Sequence, residues 1–356
     1  MKIVLTGGGT AGHIMPNIAL ASSLKKHFDE ILYIGSTSGM ESTIAKDNNI
    51  NFKSVTTVKL KRSLSISNLT IPFKLAKGTK EAKNILKEFK PDVIFSKGGF
   101  VAVPVCIAGK KLGIPIVGHE SDLTLGLANK IIYKKANTMC TSFEETCKYG
   151  SKCVCTGTAI RPSLLKGNKE QALKEYNLNP ALPTILVTGG SLGAVRINNI
   201  VFECLPNLLN DYNVIHMCGK NNVKSAPNLK NSTKGKYVPL GFVANPANIF
   251  ACADLVISRA GSNSIFEFLT LHKPMILLPL SKSASRGDQI LNAENFKNKG
   301  YASVILDEDL TPAALLKTIK QTFFDKDKII AKQKTAPSQN GTENILNEIL
   351  KAVKKG

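Results

Sequence analysis

Short apolar runs alternate with longer segments of helical periodicity along almost the whole chain. Lys2–Leu5, Glu30–Ile34, Phe52–Thr56, Asp92–Phe95, Pro115–Gly118 and Thr138–Thr141 read as buried strands. Between them, Gly12–His27, Ser67–Phe89 and Gly99–Leu112 carry apolar residues at helical spacing. Strands this short and this continuously apolar are covered on both faces, which implies parallel sheets flanked by helices. The pattern pauses around Gly157-Thr158-Ala159-Ile160-Arg161-Pro162, and Leu164–Pro183 is polar and turn-rich. It restarts at Thr184, with further strands at Tyr212–His216, Lys236–Pro239, Leu255–Ser258, Met275–Leu278 and Ala302–Leu306. A last amphipathic helix, Thr342–Val353, aligns Ile345, Leu346, Ile349, Leu350 and Val353 on one stripe. The expected fold class is α/β, with two Rossmann-like domains over residues 1–163 and 164–339.

Each half opens with a glycine-rich turn. Thr6-Gly7-Gly8-Gly9-Thr10-Ala11-Gly12-His13 follows the strand Ile3-Val4-Leu5, and Thr188-Gly189-Gly190-Ser191-Leu192-Gly193-Ala194 follows Ile185-Leu186-Val187. Glycines let backbone approach a ligand closely, and the exposed N–H groups and dipole of the following helix favour a phosphate. Two such turns suggest two domains facing across a cleft that holds a nucleotide or sugar phosphate.

Composition narrows the partners. The 356 residues include 47 Lys and Arg against 26 Asp and Glu, a formal charge of +21. That favours an anionic partner such as a membrane surface, a phosphorylated substrate or nucleic acid. The eight cysteines form no C-x-x-C pair, and Cys106, Cys140 and Cys252 lie in apolar stretches, as free thiols of a reducing compartment do. The first strand begins at Lys2, leaving no room for a cleaved leader, and no apolar run reaches the roughly 20 residues that span a bilayer. Any membrane contact is therefore expected to be peripheral, on the cytoplasmic side.

Gly7, Gly9 and Gly12 fit G-x-G-x-x-G, but a dinucleotide site also wants an acid closing the second strand. That strand, Ile31-Leu32-Tyr33-Ile34-Gly35-Ser36, has none, and no G-x-x-x-x-G-K-[ST] occurs. The second half offers Ser258-Arg259-Ala260-Gly261-Ser262-Asn263 with Glu267 on the ensuing helix, whose paired oxygens suit a ribose diol. Spacing alone leaves Glu267 equally readable as a solvated helix carboxylate. Asp288 and Gln289 could bind sugar hydroxyls or cap their helix. No Asp-x-Asp closes a strand and no His/Cys cluster has ligand spacing, so neither a metal nor another cofactor is expected.

These turns, together with His119-Glu120-Ser121-Asp122, Gly126-Leu127-Ala128-Asn129-Lys130, Arg259–Glu267 and Ala284-Ser285-Arg286-Gly287-Asp288-Gln289, make the chain recognisable. Over essentially its whole length it resembles the MurG family within glycosyltransferase family 28. These are peripheral enzymes that add N-acetylglucosamine (GlcNAc) to the lipid-linked muramyl-pentapeptide precursor of peptidoglycan. The resemblance implies the GT-B fold, an acceptor domain first and a UDP-GlcNAc domain second. It also implies a C-terminal helix, about residues 340–356, that crosses back to the first domain.

For the donor, it places Ser191, Leu192, Gly193 and Ala194 at the UDP diphosphate, with Leu192 standing where many relatives have glutamine. Arg161 is implied near the same phosphates, where a positive charge would stabilise departing UDP. Phe242 and Val243 correspond to the uracil-binding segment, Glu267 to the ribose carboxylate, and Asp288 and Gln289 to a pair on the sugar hydroxyls. For the acceptor, undecaprenyl-pyrophosphoryl-MurNAc-pentapeptide, the backbone of Gly8, Gly9, Thr10, Ala11 and Gly12 would meet the pyrophosphate. His13 is implied as general base for the 4-hydroxyl, an imidazole being largely neutral at cytoplasmic pH; orienting the pyrophosphate is its alternative role. Glu120 and Asp122 are competing carboxylates, and His119 reads as structural. The expected chemistry is a single, inverting displacement.

A lipid-bound acceptor gives meaning to a basic and apolar stretch from Lys59 through Arg62, Leu64, Ile66, Phe73 and Lys74 to Lys77. A second is Lys130, Lys134 and Lys135 around Ile131, Ile132 and Tyr133; both would suit anionic phospholipid. Nucleic-acid binding lacks support, since Trp is absent and aromatics do not alternate with the basic runs. Two rivals share the fold: a UDP-GlcNAc 2-epimerase and a diacylglycerol glycosyltransferase. The His119–Lys130 run favours the muramyl acceptor over both.

Overall fold

A computed structural model describes residues 1–9, 11–57, 70–190, 193–223, 233–243, 245–282, 287–337 and 340–354. The chain divides into two compact units, Met1–Arg161 with Ser338–Gly356, and Pro162–Pro337.

In chain order the first unit contains β1 (Lys2–Thr6), α1 (Ala11–Leu24), β2 (Glu30–Ser36), α2 (Glu41–Asp47), β3 (Asn51–Val55), α3 (Ile71–Phe89), β4 (Val93–Ser96), α4 (Ala102–Lys111), β5 (Ile116–Glu120), α5 (Leu127–Tyr133), β6 (Thr138–Thr141) and β7 (Cys153–Cys155). Its seven strands run parallel in the order β3-β2-β1-β4-β5-β6-β7. Successive side chains of a strand point to opposite faces, so each apolar run fills two cores. Ile3 and Leu5 pack on one face with Ile14, Leu20 and Leu24 of α1. Val4 packs on the other with Ala82 and Leu86 of α3 and Val105 of α4.

The second unit contains α6 (Lys169–Glu175), β8 (Thr184–Thr188), α7 (Val195–Leu208), β9 (Asn213–Met217), β10 (Tyr237–Leu240), α8 (Ala247–Cys252), β11 (Leu255–Ser258), α9 (Ser262–Thr270), β12 (Met275–Leu277), α10 (Asp288–Asn298), β13 (Ser303–Val304), α11 (Pro312–Phe324) and α12 (Lys326–Lys334). Six parallel strands lie in the order β10-β9-β8-β11-β12-β13. Ile185, Val187, Val214, Leu255, Ile257 and Ile276 meet Ile197 and Val201 of α7 and Leu315 and Ile319 of α11 in one core.

The last helix, α13 (Thr342–Lys354), belongs to the first unit. Its stripe of Ile345, Leu346 and Ile349 is buried with Ile3, Leu5, Val93 and Phe95. At about 1.5–3 kcal/mol per large aliphatic side chain, the three hold the helix by several kcal/mol before ordering costs. Asn344 Nδ2 donates to Thr156 O at 3.2 Å, and the Ile160 amide donates to Thr342 Oγ1 at 3.3 Å. Gly341 is required to be small, because a Cβ there would lie 2.5 Å from Gly157 C.

Three details depart from the periodicity. β7 is too short and too exposed to announce itself and forms only by pairing with β6. The turn-rich stretch before β8 holds α6, started by Asn168, whose Oδ1 accepts from the Gln171 amide at 2.9 Å. The apolar residues around Tyr133 are largely core: Ile132 is fully buried, and Ile131 and Tyr133 pack against the same cluster, so they form no exposed patch.

Candidate active site

In an open parallel sheet the ligand crevice lies beyond the carboxyl ends of the strands, where the strand order reverses. In the first unit that point lies between β1 and β4, with Thr6 opposite Ser96. Here the chain leaves β1 through Gly7 (φ +152°) and Gly9 (φ +88°), conformations that side chains rarely adopt. The turn is held from below: Tyr33 OH donates to Gly7 O at 2.6 Å and accepts from Asn17 Nδ2 at 3.1 Å. Burial raises the Tyr33 pKa, so its hydroxyl stays a donor.

A carboxylate already occupies part of this turn. Glu41, fully buried at the start of α2, accepts from the Gly9 amide at 2.8 Å and from Ser36 Oγ at 3.0 Å. The Gly9 N–H is therefore engaged within the protein. A Cβ on Gly8 would displace the Glu41 carboxylate, and Gly9 faces open space. Half-buried His13 stands in the first turn of α1; Gly12 precedes it, and Thr10 lies outside the described residues.

The end of β5 carries the next group. Glu120 is a loop organiser: Oε1 accepts from the Ser121 and Asp122 amides at 2.9 and 3.0 Å, and Oε2 from the Gly126 amide and Asn129 Nδ2, both at 2.9 Å. Burial, then the charge of Asp122, raises its pKa, while those bonds oppose the rise. With four donors aimed at it, Glu120 shapes the Ser121–Gly126 loop and has little capacity left as a base. Asp122, half-buried, follows on that loop.

His119 is fully buried. Its Nε2 lies 2.9 Å from Gly157 O, and a carbonyl can only accept, so Nε2 carries the proton. Nδ1 then accepts from Lys97 Nζ at 2.9 Å. Burial and the Lys97 charge hold its pKa well below the usual histidine value, so it is a neutral structural group. Lys97 itself, 2% exposed, was not singled out by its sequence context.

In the second unit the reversal lies between β8 and β11, with Thr188 opposite Ser258. Gly190 (φ +89°) faces open space, as Gly9 does. Gly193 (φ +75°) passes so close to Cys218 O that no side chain fits, and Ala194 is the N-cap of α7. Ser191 and Leu192 lie outside the described residues. Beyond β10, Phe242 leaves its ring 65% exposed, with Val243 half-buried beside it. Glu267 is half-buried on α9. Asp288 begins α10 after Gly287 (φ +85°), and Gln289 Oε1 accepts from the Leu280 amide at 3.1 Å. Gly193, Ala194, Phe242, Val243, Glu267, Asp288 and Gln289 thus follow strand ends on one edge of one sheet. Arg161, half-buried, is the last residue before the division and belongs to the first unit.

The glycosyltransferase family 28 N-terminal domain matches residues 3–141, and the corresponding C-terminal domain matches residues 184–349. A UDP-N-acetylglucosamine–N-acetylmuramyl-(pentapeptide) pyrophosphoryl-undecaprenol N-acetylglucosamine transferase of Clostridium botulinum is 47% identical over 99% of both chains. Its counterpart in Lachnospira eligens is 46% identical over 98% of both.

The chain belongs to glycosyltransferase family 28.

A crystal structure of a family member, MurG of Acinetobacter baumannii, superposes with a TM-score of 0.78 at 25% identity, covering 98% of this chain and 99% of that one. The two parallel-sheet units are those of the GT-B fold. A UDP-GlcNAc 2-epimerase of Neisseria meningitidis shares that fold at a TM-score of 0.68 and 14% identity, a likeness of architecture alone. Sequence reasoning passed over Glu41 and Lys97. Neither sits in a motif, and only burial and hydrogen bonding single them out.

Proposed function

We propose that this family 28 chain transfers GlcNAc from UDP-GlcNAc to the 4-hydroxyl of the MurNAc residue in undecaprenyl-pyrophosphoryl-MurNAc-pentapeptide, with inversion. The observation that carries this reading is the repeated turn: each sheet ends, at its reversal point, in glycines of positive φ whose outer face is open. One turn suits each of the two diphosphates that the reaction must hold.

In the second unit the diphosphate of UDP lies on Ser191–Ala194 at the start of α7, uracil rests on Phe242 and Val243, and Glu267 accepts from the ribose. Asp288 and the amide nitrogen of Gln289 meet the GlcNAc hydroxyls, and Arg161 offsets charge on departing UDP. In the first unit the start of α1 receives the acceptor pyrophosphate through the backbone of Gly8–Gly12, apart from the Gly9 amide that Glu41 holds. His13 takes the proton of the attacking hydroxyl, Asp122 orients sugar hydroxyls, and Glu120 keeps their loop in place. Among the described residues no helix is long and apolar enough to cross a membrane. Docking on the cytoplasmic face of an anionic bilayer is supported by Phe73, 79% exposed beside exposed Lys74 and Lys77 on α3. Lys59–Ile66 lie outside the described residues.

UDP release from UDP-GlcNAc, with and without a prenyl-pyrophosphoryl-MurNAc-pentapeptide in detergent, tests the reading. Release that requires the acceptor and yields a disaccharide supports it. Acceptor-independent release, an epimerised sugar or a retained anomeric configuration contradicts it. Replacing His13 by alanine should lower kcat by about 10²–10⁴; a loss within threefold removes the base assignment.

A further inference from the structure

Lys97 follows β4 at the reversal point of the first sheet. Its amide donates to Thr6 O at 2.9 Å, and its Cβ is 3.0 Å from where a Cβ of Gly7 would stand. Its side chain reaches sideways over the end of β5 to His119 Nδ1, at 2.9 Å, and to Ser121 Oγ. Two of its three protons are thus used, on neutral acceptors. Among the described residues no carboxylate lies within ion-pair distance of this buried ammonium. A buried charge without a direct ion pair is costly, and an anion joining it lowers that cost.

The second unit repeats the device. Arg259 follows β11, the strand equivalent to β4, and Ser258 opposes Thr188 as Ser96 opposes Thr6. Its Nη1 likewise reaches over the end of the next strand, donating to Leu278 O at 3.0 Å and Pro279 O at 3.2 Å. Arg259 is 3.6 Å from Asp307, so the second unit supplies its own counter-charge. The first does not.

We propose that Lys97 is a positioning residue for the acceptor: its buried ammonium is the standing counter-charge for a pyrophosphate at the first glycine-rich turn, and it aims the Ser121 hydroxyl. A hydroxyl that accepts from an ammonium must direct its own proton elsewhere. Ser121 is half-buried, so its O–H can donate to an anionic or hydroxylated ligand. The inference rests on the reading that the acceptor's pyrophosphate docks at this turn.

Burial pushes the Lys97 pKa down to about 8, with Glu120, Asp122 and Cys140 opposing the shift; His119 faces it as a neutral group. Lys97 is therefore charged at neutral pH and loses that charge as pH rises past about 8. A pyrophosphate diester does not titrate in that range.

The test uses the full-length enzyme at saturating UDP-GlcNAc. Acceptor KM is measured from pH 7 to 9, and inorganic pyrophosphate serves as inhibitor against the acceptor, in wild type and Lys97→Met. The expected wild type shows acceptor KM rising several-fold above pH 8 and pyrophosphate competing with the acceptor. K97M should raise acceptor KM and pyrophosphate Ki together by about tenfold at pH 7, flatten the pH profile, and leave the KM for UDP-GlcNAc within twofold. Loss of the donor to buried His119 Nδ1 offsets the gain from removing a buried charge, so the variant's unfolding temperature should stay within a few degrees of wild type. Competitive pyrophosphate with an unchanged Ki in K97M overturns the role of Lys97 and leaves the docking site standing. Pyrophosphate that does not compete with the acceptor in wild type overturns the docking site and the inference with it. Should K97M fail to fold, the wild-type profile decides alone: an acceptor KM flat from pH 7 to 9 overturns the inference.

Discussion

Glu120→Gln separates a scaffold from a base at the carboxylate most easily mistaken for a catalytic one. The substitution keeps shape and replaces one oxygen by an NH₂ group. Glu120 receives two donors at each oxygen. In either amide orientation one pair of donors, the Ser121 and Asp122 amides or the Gly126 amide and Asn129 Nδ2, faces another donor. Two hydrogen bonds to a charged acceptor, worth about 1.5–3 kcal/mol each, are lost. Removing a buried charge whose pKa is raised by desolvation gives part of that back. The net expectation is about 3 kcal/mol, or roughly 6–12 °C in unfolding temperature for a unit of this size. Calorimetry reads the first number; steady-state kinetics on the folded protein reads the second. With the Ser121–Gly126 loop loosened, acceptor KM should rise about tenfold while kcat falls less than tenfold. An unfolding temperature within 2 °C of wild type, with kcat down 100-fold or more, would refute the scaffold argument and make Glu120 the base.

Three further outcomes follow from the same geometry. Gly193→Ala combines a positive φ with a collision against Cys218 O, so it should cost at least about 2 kcal/mol and abolish UDP binding by calorimetric titration; a variant that binds UDP normally would show the turn to be pliable. Phe242→Ala removes a largely exposed ring, so unfolding should move by less than 2 °C while the KM for UDP-GlcNAc rises about tenfold; equal KM values would remove the stacking role. His216 is buried against Asn198 and Tyr237, and burial pushes its pKa down to about 4. The unfolded chain binds a proton below about 6.5 and the folded one does not until about 4, so stability present above 6.5 declines as pH falls through this window, by up to roughly 3 kcal/mol. Urea titrations at pH 7 and 4.5 measure it, and replacement of His216 by leucine should flatten that part of the profile.

Much of the architecture was legible because periodicity encodes which faces of an element are buried. Continuous apolar strands such as Ile3-Val4-Leu5 and Ile185-Leu186-Val187 announced parallel sheets, and the stripe on α13 announced a helix with one buried face. Glycine turns directly after the first strand of each unit marked where the chain leaves the sheet at its reversal point. Even the candidate residues Glu267, Asp288 and Gln289 could be placed, since each follows a strand end in sequence.

Periodicity does not encode which element meets which. β1 lies beside β4 across about 90 residues of chain, and that pairing alone puts Lys97 at the first turn. The same is true of Glu41, carried by α2 under the Gly9 amide, and of the four donors that gather on Glu120. Short polar stretches hid α6 and β7, which exist through a cap and an edge pairing. The sequence by itself determined most of the elements, their buried faces and the two turns, because these follow from local stereochemistry. Only the tertiary structure decided which charges lie buried side by side, because an ammonium's partners and its desolvation are properties of neighbours brought from far along the chain.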